Sequence, residues 1–250
     1  MSAASLLHNV GNKAYVRAFP VYRLFYRAFK AYTDRAERQL LRKILFRGAV
    51  VVDAGANIGI YSQFLSRCVG RTGVVHSFEP SPDNFKRLCA ATRNLSNVKP
   101  FQAALGERSG QSELYISDTL NVDHRVYKTG GDSRRAVPSE MIALDDYFKQ
   151  GQRIDLIKMD IQGYELHALR GATRMLEKNA DINVILEFWP FGLEQAGVCW
   201  EDLVKMLQSL NMELAVVRTQ GLSPFNKRDV QTDASWYVNL FATRRQGQDL

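Results

Sequence analysis

Residues 50–59 read Val-Val-Val-Asp-Ala-Gly-Ala-Asn-Ile-Gly, an apolar run that ends in an acid and opens into a turn of small residues. The run has the length and the β-branched content of a buried parallel strand. Gly55 and Gly59 allow the backbone to turn tightly and to come close to a ligand. Residues 60–67 then have a helical pattern, so the free amides at the start of that helix would face a ligand over the turn. This junction predicts a site for a nucleotide-bearing cofactor.

The spacing within the turn distinguishes two classes of cofactor. A dinucleotide site uses Gly-x-Gly-x-x-Gly, in which the middle glycine lets the pyrophosphate approach the backbone. Asn57 stands where that middle glycine would be, and its side chain would crowd a pyrophosphate. It can instead hydrogen-bond the carboxylate or ammonium of an amino acid. This favours S-adenosylmethionine and disfavours a nicotinamide-dependent oxidoreductase, which is the alternative enzyme class.

A second apolar run, residues 74–78, ends at Glu79. A carboxylate at the tip of a second strand can accept hydrogen bonds from both ribose hydroxyls. Dehydrogenases use the same device, so Glu79 indicates a nucleoside without choosing between the cofactors. The alternative role is structural, because residues 81–83 begin the next helical pattern and an acid before Pro80 can cap it.

A third segment, residues 154–171, has a strand pattern that ends in Asp160 and continues Ile161-Gln162-Gly163-Tyr164-Glu165. With this segment the chain resembles the FkbM-type class I methyltransferases, and the matching motifs keep their order over residues 48–190. The other matching motifs are the turn at 53–59, Phe78-Glu79-Pro80, Ala103-Ala104-Leu105-Gly106, Leu144-Asp145-Asp146-Tyr147 and Leu186-Glu187-Phe188.

The resemblance implies an S-adenosylmethionine-dependent O-methyltransferase that acts on a hydroxyl of a sugar, a glycolipid or a related natural product. One position departs from the family, which usually carries Asp-x-Glu-Gly where this chain has Gln162. The glutamine keeps the hydrogen-bonding shape but loses the charge, so an acid–base or metal role at this position lacks support. The same departure keeps open a further alternative, a non-catalytic binding module with a methyltransferase fold.

Seven strand patterns alternate with helical patterns along most of the chain. This alternation predicts an α/β fold, a Rossmann-like, doubly wound, mostly parallel sheet preceded by N-terminal helices at about residues 14–46. The last two strands lack a helix between them, which predicts an antiparallel hairpin at the sheet edge, and an antiparallel last strand agrees with the class I plan. We divide the chain into a basic amphipathic helical segment, 1–47, and a methyltransferase domain, 48–250. The strand patterns lie near 49–53, 74–78, 98–102, 154–159, 183–188, 212–217 and 236–242.

The cofactor is expected over the carboxyl ends of the strands, where ligands of such sheets bind. Asp53 should support the turn or meet the methionine ammonium through water, and turn stabilisation alone is the simpler alternative. Ala103 and Ala104 should line the adenine ring, with ordinary packing as their alternative. The predicted cofactor residues are Asp53, Gly55, Asn57, Gly59, Glu79, Ala103, Ala104 and Asp160.

Methyl transfer requires the protein to align the acceptor oxygen and to remove its proton. Asp160 is the first candidate for the base, followed by Glu187 and then His124. Their simpler alternatives are orientation of the methionine tail for Asp160, loop fixation for Glu187 and a solvated loop position for His124. Asp160 and Glu187 could also supply two ligands to a divalent cation. Gln162 weakens that case, and we assign no residue as a metal ligand.

The polar, turn-rich segment 117–138 is expected to form a long loop over the site and to bind the acceptor, a small molecule or a glycan. Asn121 and Arg125 are the candidates within it, and Trp189 could form the floor of a sugar site. Arg125 could hold a phosphate or a carboxylate of the acceptor. A solvated surface loop is the alternative.

Basic charge is concentrated at the start of the chain. Residues 1–50 hold ten Lys or Arg and two acids, a balance of +8, so the remainder sums to −1 in a total of +7. Aromatic residues recur there at spacings of three and four. Three interpretations stay open: a helical cap on the domain, a helix within residues 14–47 that binds an anionic membrane surface, and nucleic-acid binding. The near-neutral remainder argues against the last.

Composition limits the class of protein further. A chain of 250 residues with 46% hydrophobic content can bury a full core. Its three cysteines are scattered and lack zinc-site spacing, which is typical of a reducing compartment. No apolar run is long enough to cross a bilayer, and the first residues lack a secretory pattern. We therefore expect a cytoplasmic protein, peripheral at the membrane surface if the basic segment binds lipid.

Overall fold

The computed structural model describes residue 15 and residues 18–117, 123–129 and 134–244. Within these residues the helices are α1 (Phe19–Thr33), α2 (Arg35–Ile44), α3 (Ile60–Val69), α4 (Pro82–Thr92), α5 (Leu144–Tyr147), α6 (Glu165–Arg170), α7 (Thr173–Lys178), α8 (Pro190–Gln195) and α9 (Trp200–Ser209). The strands are β1 (Val50–Ala54), β2 (Val74–Phe78), β3 (Val98–Phe101), β4 (Ala104–Leu105), β5 (Gly110–Ile116), β6 (Arg135–Ile142), β7 (Leu156–Met159), β8 (Asn183–Phe188), β9 (Glu213–Arg218), β10 (Gly221–Pro224) and β11 (Val238–Thr243).

The centre of the molecule is a mostly parallel sheet in the order β10-β9-β11-β8-β7-β1-β2-β3. The strands from β8 to β3 are parallel, while β11 runs antiparallel to both of its neighbours. Alternate residues of β1 enter different cores: Val51 packs with residues of α2 and α3, and Val52 with residues of α6 and α9. Burial on both faces explains the continuous apolar run of β1. The predicted fold class, a Rossmann-like α/β sheet, is confirmed.

Details of the predicted sheet edge are wrong. An eighth strand, β10, pairs with β9 and occupies the edge, whereas β11 lies inside the sheet between β8 and β9. The two last predicted strands do pair antiparallel, but they do not form an edge hairpin. The physical reason is that β11 is buried from Leu240 to Ala242, and its apolar side chains require a strand on each side.

A second sheet of three strands, in the order β4-β6-β5, was missed. The segment expected to be loop from 117 to 138 therefore ends within β6, which pairs with β5 along seven residues. Most residues of β6 are exposed or half-buried, so the strand lacks the apolar run by which a buried strand is found. This small sheet brings Leu114 of β5 to the edge of the large cavity described below.

The N-terminal helices lie against the sheet and the first turn. Helix α2 buries Leu40, Leu41 and Ile44 in the core. Helix α1 begins with Pro20 in its first turn and has no fully buried residue. Its aromatic residues pack with Tyr15 on Ile58 and Ile60. Among the described residues, no helix is both long and apolar enough to cross a membrane.

The turn after β1 is held by a close backbone approach. Gly55 has a φ of 76°, and a Cβ atom there would stand 1.9 Å from the carbonyl oxygen of Asp160. A left-handed φ disfavours every side chain, and the carbonyl belongs to backbone that is tied to β1 by the hydrogen bond from the Asp160 amide to the Ala54 carbonyl. The turns that follow β1 and β7 therefore touch only because residue 55 is a glycine.

We predict that Gly55→Ala lowers the free energy of unfolding by about 2–5 kcal/mol, the sum of left-handed strain and overpacking. Gly151→Ala is the matched control, since Gly151 has a φ of 79° and no atom within 4 Å of a new Cβ. The control should lose only about 1–2 kcal/mol. Urea denaturation of the two variants measures the difference, and equal losses would contradict the contact.

Candidate active site

A cavity of about 460 Å³ opens at the carboxyl ends of β1, β2, β7 and β8. Ten of the predicted site residues line it, while Asp53 and Gly59 do not. Asn121 lies outside the described residues. The predicted residues that line the cavity are Gly55, Asn57, Glu79, Ala103, Ala104, His124, Arg125, Asp160, Glu187 and Trp189.

The turn after β1 is tied to the end of β2. Asn57 has a φ of 49°, and its side-chain Oδ1 accepts a hydrogen bond from the amide of Ile58 at 2.7 Å. The amide of Asn57 donates to Glu79 Oε2 at 2.8 Å, and the amide of Ser81 donates to Oε1 at 2.9 Å. Burial raises the pKa of Glu79 to about 7. Glu79 thus has a structural role at the start of α4, and its ribose-binding role stays a prediction.

Two predicted cofactor residues have structural positions outside the cavity lining. Asp53 is fully buried and accepts a hydrogen bond from the Ser62 hydroxyl at 2.7 Å. Burial raises the pKa of its carboxyl group. Gly59 has a φ of 82° at the start of α3, where a Cβ would touch Leu88. Asp53 and Gly59 therefore support the turn without lining the cavity.

Asp160 and Glu187 face the same cavity and share one amide group. Gln162 Nε2 donates to Asp160 Oδ1 at 3.0 Å and to Glu187 Oε2 at 3.2 Å. The Gln162 backbone is held in the left-handed region at a φ of 57°, and its carbonyl accepts from the Tyr127 hydroxyl at 2.5 Å. Gln162 is therefore fixed as the bridge between the two carboxyl groups.

The pKa values of the two carboxyl groups are shifted in opposite directions. Burial works to raise the pKa of Asp160, but the charges of Lys158 and Lys30 outweigh it and bring the pKa below its ordinary value. Burial and the neighbouring Asp160 charge hold the pKa of Glu187 well above its ordinary value. Asp160 is therefore the carboxyl group of this pair that loses its proton more readily.

The two lysines were missed as site residues. Lys158 in β7 is only 4% exposed, and its ammonium lies 4.5 Å from the centre of the Tyr61 ring. Lys30 of α1 forms an ion pair with Asp34 at 3.0 Å. Burial alone would lower the pKa of each lysine, but Asp160 and other acids nearby raise it. A lysine inside an apolar strand, two residues before Asp160, is a signal that could have identified Lys158.

A small polar cavity of about 50 Å³ lies behind these groups, between the N-terminal helices and the sheet. Lys30, Lys158, Asp160 and Glu187 border both cavities. Glu37 of α2 borders only the small one, where it accepts a hydrogen bond from Asn239 at 2.8 Å. The N-terminal helices thus contribute charged groups to the rear of the site.

The predicted acceptor residues also reach the large cavity. Arg125 pairs with Asp123 at 2.8 Å, and its guanidinium lies 5.1 Å from the Trp189 ring. His124 Nδ1 accepts a hydrogen bond from the amide of Ser117 at 3.1 Å. These contacts fix His124 and Arg125 at the cavity wall instead of leaving them in solvent. In the described parts of the chain, no three His, Cys, Asp or Glu side chains gather to hold a metal ion.

Glu165 generates a prediction about the pH dependence of stability. It is fully buried, accepts a hydrogen bond from the amide of Ile161 at 3.1 Å, and has its pKa raised to about 7 by burial. The folded state therefore binds a proton that the unfolded chain has lost, so stability is lost as pH rises from about 4.5 through about 7.

We predict that Glu165→Gln makes stability less sensitive to pH over this interval, because the amide keeps the hydrogen bond and does not titrate. Urea denaturation at a series of pH values measures the slope. Glu194→Gln, at an exposed position, controls for the loss of one acid. An unchanged slope in Glu165→Gln would show that this carboxyl group is ionised in the folded protein.

Comparisons with known proteins identify the family. Residues 53–215 match the family described as methyltransferase FkbM domain. Hexuronic acid methyltransferase AglP of Haloferax volcanii is 28% identical over 193 residues, which cover 74% of this chain and 73% of that protein. Methyltransferase sdnD of Sordaria araneosa is 31% identical over 179 residues, covering 57% of this chain and 68% of that protein.

A solved structure agrees in fold. Methyltransferase FkbM from Methylobacillus flagellatus KT superimposes with a TM-score of 0.50 at 18% identity and covers 79% of this chain. The match spans only 44% of that longer chain. Because the identity is only 18%, the likeness concerns the fold alone. The family match spans well over half of the present sequence and includes the turn after β1, Asp160 and Glu187. The protein therefore belongs to the FkbM methyltransferase family.

Proposed function

We propose that the protein transfers a methyl group from S-adenosylmethionine to a hydroxyl oxygen of a sugar or glycoconjugate. The observation that carries the proposal is that Asp160 and Glu187 line the cavity side by side, joined by the amide of Gln162, with the pKa of Asp160 lowered by lysine charges. A carboxylate that is free of a proton at the cavity wall suits removal of a proton from an alcohol. Family membership supports methyl transfer, and the relative AglP, a hexuronic acid methyltransferase, makes a hexuronic acid the first acceptor to test.

The cavity fits the cofactor in size and chemistry. Its volume of about 460 Å³ falls in the range of small-molecule sites. Glu79 would hold the ribose hydroxyls, Ala103 and Ala104 would line the adenine, and Asn57 would hold the methionine end. Asn57 occupies the position of the glycine at which a pyrophosphate approaches the backbone in dinucleotide sites. This argues against a nicotinamide cofactor.

The cofactor, when bound, supplies an electrophilic methyl group on a sulfonium. The protein has to hold the acceptor hydroxyl in line with it and to receive the hydroxyl proton. Asp160 is the proposed proton acceptor, and its lysine neighbours keep it free of a proton at neutral pH. Glu187 has a raised pKa, and in its protonated form it can donate a hydrogen bond to a sugar oxygen and so orient the acceptor. Arg125 and Trp189, which lie beside each other in the cavity lining, would contact the sugar.

The first prediction from this proposed function concerns which cofactor the protein binds. Calorimetric titration should detect S-adenosylhomocysteine binding with micromolar affinity and no binding of NAD. Glu79→Ala should weaken S-adenosylhomocysteine at least about tenfold, about 1.4 kcal/mol, because two ribose hydrogen bonds are lost. Glu177→Ala, on the exposed side of α7, is the control. Binding of NAD instead would overturn the assignment of Asn57.

The role of Asp160 gives the second prediction. Asp160→Asn should abolish turnover, because an amide cannot accept the proton, while S-adenosylhomocysteine affinity stays within about tenfold. Turnover is measured as transfer of a labelled methyl group to oligosaccharides that contain a hexuronic acid. Full activity of Asp160→Asn would eliminate this residue as the base. Cofactor binding with no transfer to any acceptor by the unaltered protein would favour the non-catalytic binding module.

The position of the label distinguishes the acceptor group. A methyl ether formed on a hydroxyl resists mild alkali, whereas a methyl ester formed on the carboxyl group is hydrolysed. A hydroxyl acceptor needs a base and predicts an alkali-stable label. An alkali-labile label would mean that the carboxylate itself is the nucleophile and that Asp160 only positions it.

A further inference from the structure

Helix α1 exposes most of the large apolar side chains found on the described surface. Five of the seven exposed large hydrophobic residues among the described positions lie in this one helix. Leu24 is 67% exposed, Phe25 71% and Tyr32 72%. Single exposed apolar residues are ordinary, but a cluster on one element marks an interaction surface. The five residues, which we call the apolar face, are Val21, Leu24, Phe25, Phe29 and Tyr32.

The apolar face follows from the helical repeat. Steps of three and four residues bring Val21, Leu24, Phe25 and Tyr32 onto one side of α1. Tyr22 and Tyr26 lie on the side that packs near Ile58 and Ile60. Helix α1 therefore has one side packed on the protein and a second side that is apolar although it faces solvent.

Positive charge borders this face. Arg27 of α1, Arg42 of α2 and Arg67 of α3 are all exposed. The guanidinium groups of Arg38 and Arg42 each lie 5.1 Å from the centre of the Phe64 ring. Burial and the charges of Arg27, Arg38 and Arg42 lower the pKa of Arg67. A patch of like charges beside an apolar face suits an anionic partner. Within α1 itself the first turn carries no acid.

The same helix borders the large cavity. Tyr26, Phe29 and Lys30 line it, and Phe29 is at the same time 59% exposed. Phe29 thus connects the apolar face with the cavity mouth. Whatever covers this face also lies beside the entrance through which an acceptor must pass.

We propose that α1 docks the protein on an anionic lipid bilayer, with its apolar face among the acyl chains and the bordering arginines at the phosphates. A helix of 15 residues is about 22 Å long and lies in the interface instead of crossing it. A second copy of the chain is a poorer occupant, because two strongly basic segments would repel each other. Docking brings the cavity mouth to the membrane surface and does not depend on which group is transferred.

Co-sedimentation of the full chain with vesicles tests the proposal. At low salt the protein should sediment with phosphatidylcholine–phosphatidylglycerol vesicles and much less with pure phosphatidylcholine. Leu24→Glu combined with Phe25→Glu should reduce binding more than about tenfold, since two apolar side chains no longer insert. Arg27→Gln and Arg67→Gln should each weaken binding about fivefold.

A matched control distinguishes the loss of the apolar face from the effect of two added negative charges. Gln208→Glu combined with Gln220→Glu adds the same two negative charges at exposed positions on α9 and before β10, and it should bind vesicles almost as well as the unaltered protein. Thermal melting confirms that all variants are folded. No sedimentation of the unaltered protein, or equal losses in the two double variants, would overturn the proposal. So would a dimer in analytical ultracentrifugation that Leu24→Glu with Phe25→Glu dissociates without any vesicle binding.

Discussion

The site depends on holding the charge of Asp160 at a half-buried position in the cavity wall. An isolated carboxylate removed from water is costly, and it persists only where opposite charge and hydrogen bonds compensate it. Lys158, Lys30 and the amide of Gln162 supply that compensation. Each comes from a different place: a buried strand, an N-terminal helix and a strained loop. The position of Asp160 therefore constrains three separate parts of the chain at once.

The same constraint sets the properties of the neighbouring groups. Burial and the negative charge of Asp160 raise the pKa of Glu187, so the pKa values of the two carboxyl groups shift in opposite directions although the groups share one amide. The backbone of Asp160 touches Gly55, so the turn after β1 and the charged cluster keep a fixed separation. Lys30 belongs to α1 and lines the large cavity. The N-terminal segment therefore contributes to the candidate site, although this segment precedes the residues that match the family.

Local sequence patterns were sufficient to predict the parallel sheet and ten residues that line the cavity. The apolar run of residues 50–54, the turn glycines and Asp160 form signals within a few residues of each other, and burial on both faces of the strand makes them strong. The edge strand β10 and strand β6 of the small sheet were missed because most of their residues are exposed or half-buried and form no apolar run. Lys30 was missed because Asp160, whose pKa its charge lowers, is 130 residues away in the sequence, and no local pattern encodes that proximity.

A direct titration of Asp160 tests the central claim that the charges of Lys158 and Lys30 hold the pKa of this carboxyl group below its ordinary value. Carbon NMR of protein labelled at aspartate side chains follows it, with Asp160→Asn to assign the signal. We expect Asp160 to titrate below its ordinary pKa and Lys158→Met to move the midpoint upward. A midpoint above the ordinary value in the unaltered protein would contradict the claim, because burial would then outweigh the lysine charges at this carboxyl group.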